Sequence, residues 1–232
     1  MALLSRSRLL AVKIESSYGT SSNPAGTDAV LCRSIDVTPI ESETISRDVI
    51  RSYLGNSDQL LANTRVAITA EIEYAGSGTA ATASKIDALL RSCGMNVQAL
   101  GSAVTGSSQA GSANSITLAA SGPSAVDGYY VGHRIEITSG TGNSHAGLIT
   151  AYNGTTKVCT VVASTATFVP GSSSGYSISA GNKYAPVSSS FESSTIKFNN
   201  SGVQHLCTGC RGSFSISLST DAIPTITFNM TG

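Results

Sequence analysis

The chain has 232 residues with 14 basic and 14 acidic side chains, a formal net charge of zero, and only 12% of its residues are charged. Such a balance argues against a nucleic-acid binder that works by neutralising phosphates, and it leaves little repulsion to oppose self-association. Aromatics make up 6%, Trp is absent and 23 residues are glycine, which is a turn-rich β composition in a chain long enough for one large domain or a domain with an insertion.

In residues 1–11, Arg6 and Arg8 interrupt short apolar pieces, so neither an export segment nor a spanning helix is expected, and membrane insertion is not expected either. Residues 10–15 and 29–40 are strand candidates. The loop between them, residues 18–28, is marked by Asn23, Pro24, Gly26 and Asp28, and Pro39 sits where a missing N–H is tolerated. Residues 41–63 then leave the sheet without a clear period, and a loop of this length inside a compact domain is uncommon. They carry Arg47, Asp48 and Arg51 among Ile45, Val49, Ile50, Tyr53 and Leu54, followed by Leu60 and Leu61. That is more apolar and more charged than a solvated connector requires. It reads as an arm that packs on something outside its own domain; the competing reading is a loop folded over its own sheet, or a short helix at residues 57–61.

Residues 64–74 hold the cleanest pattern. Val66, Ile68, Ala70, Ile72 and Tyr74 alternate with polar residues that include Arg65, Thr69, Glu71 and Glu73. A period of two predicts a half-buried antiparallel strand with one wet, acidic face. One short helix follows. Ser84 is placed to cap it and Asp87 to complement its dipole, Ile86, Leu89, Leu90 and Cys93 form one apolar stripe, and Gly94 can close it. From residue 102 to 182 the chain turns rich in Ser, Gly, Thr and Ala. Short strands are predicted near 115–119, 130–138, 146–151, 158–162 and 176–179, with a hairpin signal at Asn153-Gly154. This segment reads as a small inserted β module between an N-terminal part, residues 1–101, and C-terminal strands, residues 183–232. In the last part Phe214, Ile216 and Leu218, and then Ile226, Phe228 and Met230, alternate with hydroxyl and amide side chains.

Chemistry is sparse. Cys207-Thr-Gly-Cys210 with His205 has a metal-ligand flavour, but a zinc site needs four convergent ligands and a redox CxxC needs a helix N-terminus. The expectation is a turn between strands carrying two small thiols. The five cysteines, an odd number, fit free thiols in a reducing compartment. His133, His145 and His205 sit in no nucleophile motif, and Glu71 with Glu73 lacks the surroundings of an acid–base pair. No catalytic residue, metal or cofactor is expected.

The pieces VKIESSYGT (residues 12–20), DAVLCRSIDVTPIESETISRDVIRSYLGNS (residues 28–57) and KYAPVSSSFESSTIKFNNSGVQHLCTGCRGSFSISLSTDAIPTITFNMTG (from Lys183) resemble, in their order, the major tail tube proteins of long-tailed, siphovirus-type bacteriophages. The resemblance implies an all-β, sandwich- or barrel-like tube core, interrupted here by the inserted module. It implies a homo-oligomer of hexameric rings stacked into a hollow tube, with the tape-measure protein, the tail terminator and the distal tail protein as partners and with transient contact with phage DNA in the lumen. The place implied is the virion tail, after assembly in the host cytoplasm. The arm at residues 41–63 would make ring-to-ring contacts, and Glu71 and Glu73 would face the lumen. The alternatives are a carbohydrate- or cell-surface-binding module such as an adhesin, and a tail terminator or capsid decoration protein.

Overall fold

The computed structural model describes residues 8–47, 49, 50, 52, 55, 58–165 and 167–232. In chain order the elements are β1 (Arg8–Ile14), β2 (Ala29–Val30), β3 (Ser34–Arg47), β4 (Asp58–Glu73), α1 (Asp87–Ser92), β5 (Met95–Leu100), β6 (Val104–Ser107), β7 (Ala110–Ser112), β8 (Ser115–Thr117) and β9 (Arg134–Ser139). They continue with β10 (Ala146–Asn153), β11 (Val158–Ala163), β12 (Gly175–Ile178), β13 (Gly181–Pro186), β14 (Ser194–Asn200), β15 (Val203–Ser217) and β16 (Thr225–Thr231). The protein is all-β, with one short α-helix among the described residues. Its chain divides into two compact units: one of Met1–Gly76, Ala83–Asn96 and Tyr184–Gly232, the other of Ser77–Thr82 and Val97–Lys183.

The first unit is built on a seven-stranded sheet in the order β2-β1-β14-β15-β16-β4-β3, with antiparallel pairing throughout. Its edge strands, β2 and β3, are separated by only three residues of chain, so the sheet must curl towards itself; Arg8 Nη1 on β1 reaches the Ile35 carbonyl on β3 at 3.3 Å. Alternation decides which side is dry. Ile68, Ala70 and Ile72 of β4 oppose Met230, Phe228 and Ile226 of β16, and all six are buried. Leu10 and Val12 of β1 and Ile196 and Phe198 of β14 complete the wall, and Leu89 and Leu90 of α1 belong to the same core.

The helix differs from its sequence reading at its start. Ser84 Oγ accepts from the Ile86 N–H at 3.3 Å in a preceding turn, Ile86 is the N-cap with no side-chain bond, and the helix begins at Asp87. Asp87 instead accepts from Tyr184 Oη at 2.6 Å and pairs with Arg91 at 3.4 Å. Gly94 does close the helix, at a φ of +80° that suits only glycine well. Tyr74, placed by alternation on the inner face, lies past the end of β4 and is 50% exposed.

The second unit is a seven-stranded sheet in the order β6-β12-β9-β10-β11-β8-β7. Its edges, β6 and β7, are again consecutive in the chain, and the residues between them bond both neighbouring strands: Ser108 N–H to Ser174 O at 2.8 Å, Gln109 N–H to Thr117 O at 2.9 Å. Its core joins Ile116, Leu118, Ile135, Ile137 and Ile149 to Tyr130, Tyr152 and Tyr176. Strands β6 and β7 escaped the sequence reading because their residues are small and polar, and residues 130–133, expected as strand, form turns that place Tyr130 in the core. The Asn153-Gly154 signal makes a four-residue loop in which Asn153 Oδ1 accepts from Thr155 and Thr156 N–H.

Candidate functional site

Residues 41–47 and 58–63 are strand and not loop. Strands β3 and β4 continue past the sheet as a two-stranded ribbon in which Glu43 faces Ala62, Thr44 faces Leu61, Ile45 faces Leu60 and Arg47 faces Asp58. The pairing slips twice between Thr38 and Glu43, and Asn63 takes a left-handed φ of +51°, so the ribbon bends where it leaves the sheet. Residues 58–61 are strand and not helix. The ribbon has no dry side: Ile45 is 56% exposed, Leu60 51% and Leu61 70%, and Val49 and Ile50 beyond it are exposed as well. Glu41 and Arg65 pair across its base at 2.9 Å, and Asn63 Nδ2 donates to Glu43. Of the arm residues singled out in the sequence, Asp48, Arg51, Tyr53 and Leu54 lie outside the described residues.

A second surface is the polar face of β15, β16, β4 and β3. Registers align Ser215, Thr227, Glu71 and Ser34 in one row and Ser213, Asn229, Thr69 and Asp36 in the next. Ser217, Thr225 and Glu73 form a third row. Glu71 and Glu73 therefore do share the face opposite the core. Arg33 approaches Glu71 at 3.4 Å, and Ser34 Oγ donates to it at the same distance. Arg211, on the same face of β15, donates to the main-chain carbonyls of Phe191 and Glu192 and stacks over Tyr18, and Arg65, further along β4, is held by Glu41. The three rows present hydroxyls, one amide and the carboxylates of Asp36, Glu71 and Glu73, with Arg33 and Arg211 at their margin, each engaged by partners within the chain.

The dithiol sits elsewhere than expected. Cys207 and Cys210 lie within the continuous strand β15, across a bulge made by Gly209 at φ +68°, and both are buried and free. There is no turn between strands here. A β-carbon on Gly232 would come within 2.6 and 2.7 Å of the two sulfurs, so the C-terminal residue packs directly on them. The Cys210 hydrogen bond lowers the Cys207 thiol, while that same bond and burial push Cys210 up. His205 is exposed and stacks on Phe198 at 6.1 Å, and no group of three or more metal-ligating side chains exists among the described residues.

Glu15 is the residue that sequence reasoning missed. Its buried carboxylate accepts from Ser193 Oγ at 2.6 Å, Thr195 Oγ1 at 2.8 Å, Gly209 N–H at 2.8 Å and Gly19 N–H at 2.9 Å. Burial raises such a group, but these four donors outweigh it and hold the carboxyl below its ordinary value of 4.5. It ties the end of β1 to the β15 bulge. The only signal in the sequence was an acid closing an apolar strand, which is also what a solvated strand end looks like.

A groove of about 320 Å³ opens beside the base of the ribbon, lined by Val37, Val66, Ile68, Ile196, Phe198 and Leu206 among others. No helix among the described residues is long and apolar enough to cross a membrane. Taken together, an all-β subunit with a projecting ribbon and an acidic, hydroxyl-rich sheet face is a protein whose working parts are surfaces. Residues 5–232 match the family model described as phage tail tube protein, and the chain belongs to that family. No curated protein matches the chain. It is a structural tail tube protein, a component of the virion tail that assembles as a tube from many copies.

Proposed function

We propose that this chain is the major tail tube subunit, forming hexameric rings that stack into the hollow conduit through which the genome leaves the virion. The arm makes the ring-to-ring contact through Ile45, Arg47, Asp48, Val49, Ile50, Arg51, Tyr53 and Leu54, and Glu71 and Glu73 face the lumen. The observation that carries this reading is the ribbon. An isolated two-stranded hairpin is marginal in water, and one with Ile45, Leu60 and Leu61 uncovered gains its stability from a partner. A family whose members build tubes supplies that partner as another copy, and a non-closing head-to-tail interface is what extends a filament. The tape-measure protein would occupy the lumen during assembly, the terminator and distal tail protein the two ends, and DNA would pass an acidic, hydroxyl-rich wall.

The inserted module, residues 102–182, is proposed as an outward decoration. Against the adhesin alternative, Tyr130, Tyr152 and Tyr176 are at most 5% exposed and build the core of the module, and Tyr129 is half-buried with its ring edge-on to Tyr130. Negative-stain electron microscopy of the purified chain across a concentration series tests the proposal. Striated tubes are expected; a particle that stays monomeric, or stops at one ring, would overturn it.

A further inference from the structure

The ring-to-ring role just proposed for the arm leaves its receiving surface unassigned, and the inference here rests on that role. We propose that the turn between β15 and β16, with Tyr74 beside it, is the surface on which the arm of a second copy docks. Leu218 is 72% exposed, Ile223 59%, Tyr74 50% and Ile216 44%, an apolar cluster at one end of the first unit. It is held in shape: Ile216 pairs with the fully buried Ile226, and Tyr74 N–H donates to Pro224 O at 2.9 Å, which fixes the tyrosine against the turn.

The register gives the direction. Glu73 pairs with Thr225 next to this turn and Ala67 pairs with Thr231 at the other end of β16, beyond which β4 runs back to Asp58 paired with β3 alone. The exposed arm residues Leu60 and Leu61 and the exposed turn therefore lie at opposite ends of one strand. At ~3.3 Å per residue the strand path between them is about 40 Å, and the continuous pairing of β4 with β16 from Ala67 to Glu73 holds the arm and the turn of one chain at opposite ends. Translation of a second copy along the strand direction brings one surface to the other, and the repeat does not close, as a stacked tube requires. Among the described residues, both surfaces leave large apolar side chains exposed, Ile45, Leu60 and Leu61 on the arm and Leu218, Ile223 and Tyr74 at the turn.

The test places a benzophenone amino acid at Leu218 in assembled tubes, alongside the double variant Leu218→Glu, Ile223→Glu and the arm variant Ile45→Thr, Leu60→Thr, which keeps a β-forming pair across the ribbon. Both variants alter exposed positions, so circular dichroism and the thermal midpoint serve as the folding control. Crosslinks between subunits are expected to map to residues 41–63, and the turn variant should elongate at least ten-fold less while still forming rings. Crosslinks to any other part of a second copy or to a different tail protein, or a turn variant that elongates like the parent, would overturn the inference while leaving the arm's role standing if the arm variant is arrested. An arm variant that elongates normally would remove both.

Discussion

A single carboxylate, Glu15, holds three separate parts of the first unit together, since its four donors come from the loop after β1, the start of β14 and the β15 bulge. Replacing it with Gln keeps the size, removes the charge and points an amide N–H₂ at donors; a loss of ~1–3 kcal/mol at neutral pH is expected from chemical denaturation. The sign with pH follows from its depressed folded value. The stabilisation is complete above the ordinary carboxyl value of 4.5 and disappears as pH falls through the lower folded value, so the thermal midpoint of the parent should drop more steeply below that pH than that of Glu15→Gln. In the core, Phe228 is fully buried between Ala70 and Phe214, and Phe228→Ala should cost ~3–5 kcal/mol by the same measurement. Phe228 was legible in the sequence and Glu15 was not. Burial of an apolar residue leaves a periodic trace, whereas satisfaction of a buried acid depends on donors more than 170 residues away, at Ser193, Thr195 and Gly209.

At the scale of elements, β4 shows why half of one strand could be read and half could not. From Val66 to Glu73 one face is dry, so the period of two appears in the sequence. From Asp58 to Arg65 both faces are wet, alternation has nothing to act on, and the same strand looks like irregular chain. The arm's apolar content was visible, but its ribbon geometry required the long-range pairing of β3 with β4. The β15 bulge was misread for a related reason: Gly209 and Gly212 signal a turn, yet only the pairing with β14 and β16 shows that the strand runs through. Because Ile45 and Leu60 are exposed and face each other, Ile45→Thr with Leu60→Thr keeps a β-forming cross-strand pair and should change the stability of the unassembled chain by no more than ~0.5 kcal/mol, while tube elongation measured by light scattering is lost.

For the whole molecule, the division into two compact units makes the insertion separable. Residues 97–183 carry their own sheet and core, and the chain leaves and returns through β5 and β13, which pair with each other. Replacing residues 102–182 with a short linker is therefore expected to leave a folded protein that still forms tubes; a soluble, folded deletion variant unable to assemble would contradict the decoration role. The shift of residues 102–182 to Ser, Gly and Thr carries no trace of the seven-stranded sheet, whose edge strands are too short and polar to show a period. The polar face of the first unit belongs to this scale as well, because its proposed place in the lumen exists only in the assembled tube.

That face and the arm make one central claim, that copies stack with the arm between rings and the acidic face turned to the lumen. The most direct measurement is an electron cryomicroscopy reconstruction of tubes assembled from the purified chain. Six-fold rings are expected, in which residues 41–63 bridge adjacent rings and Asp36, Glu71 and Glu73 line the central channel. A tube whose arms contact only their own ring, or whose channel is lined by the inserted module, would contradict it.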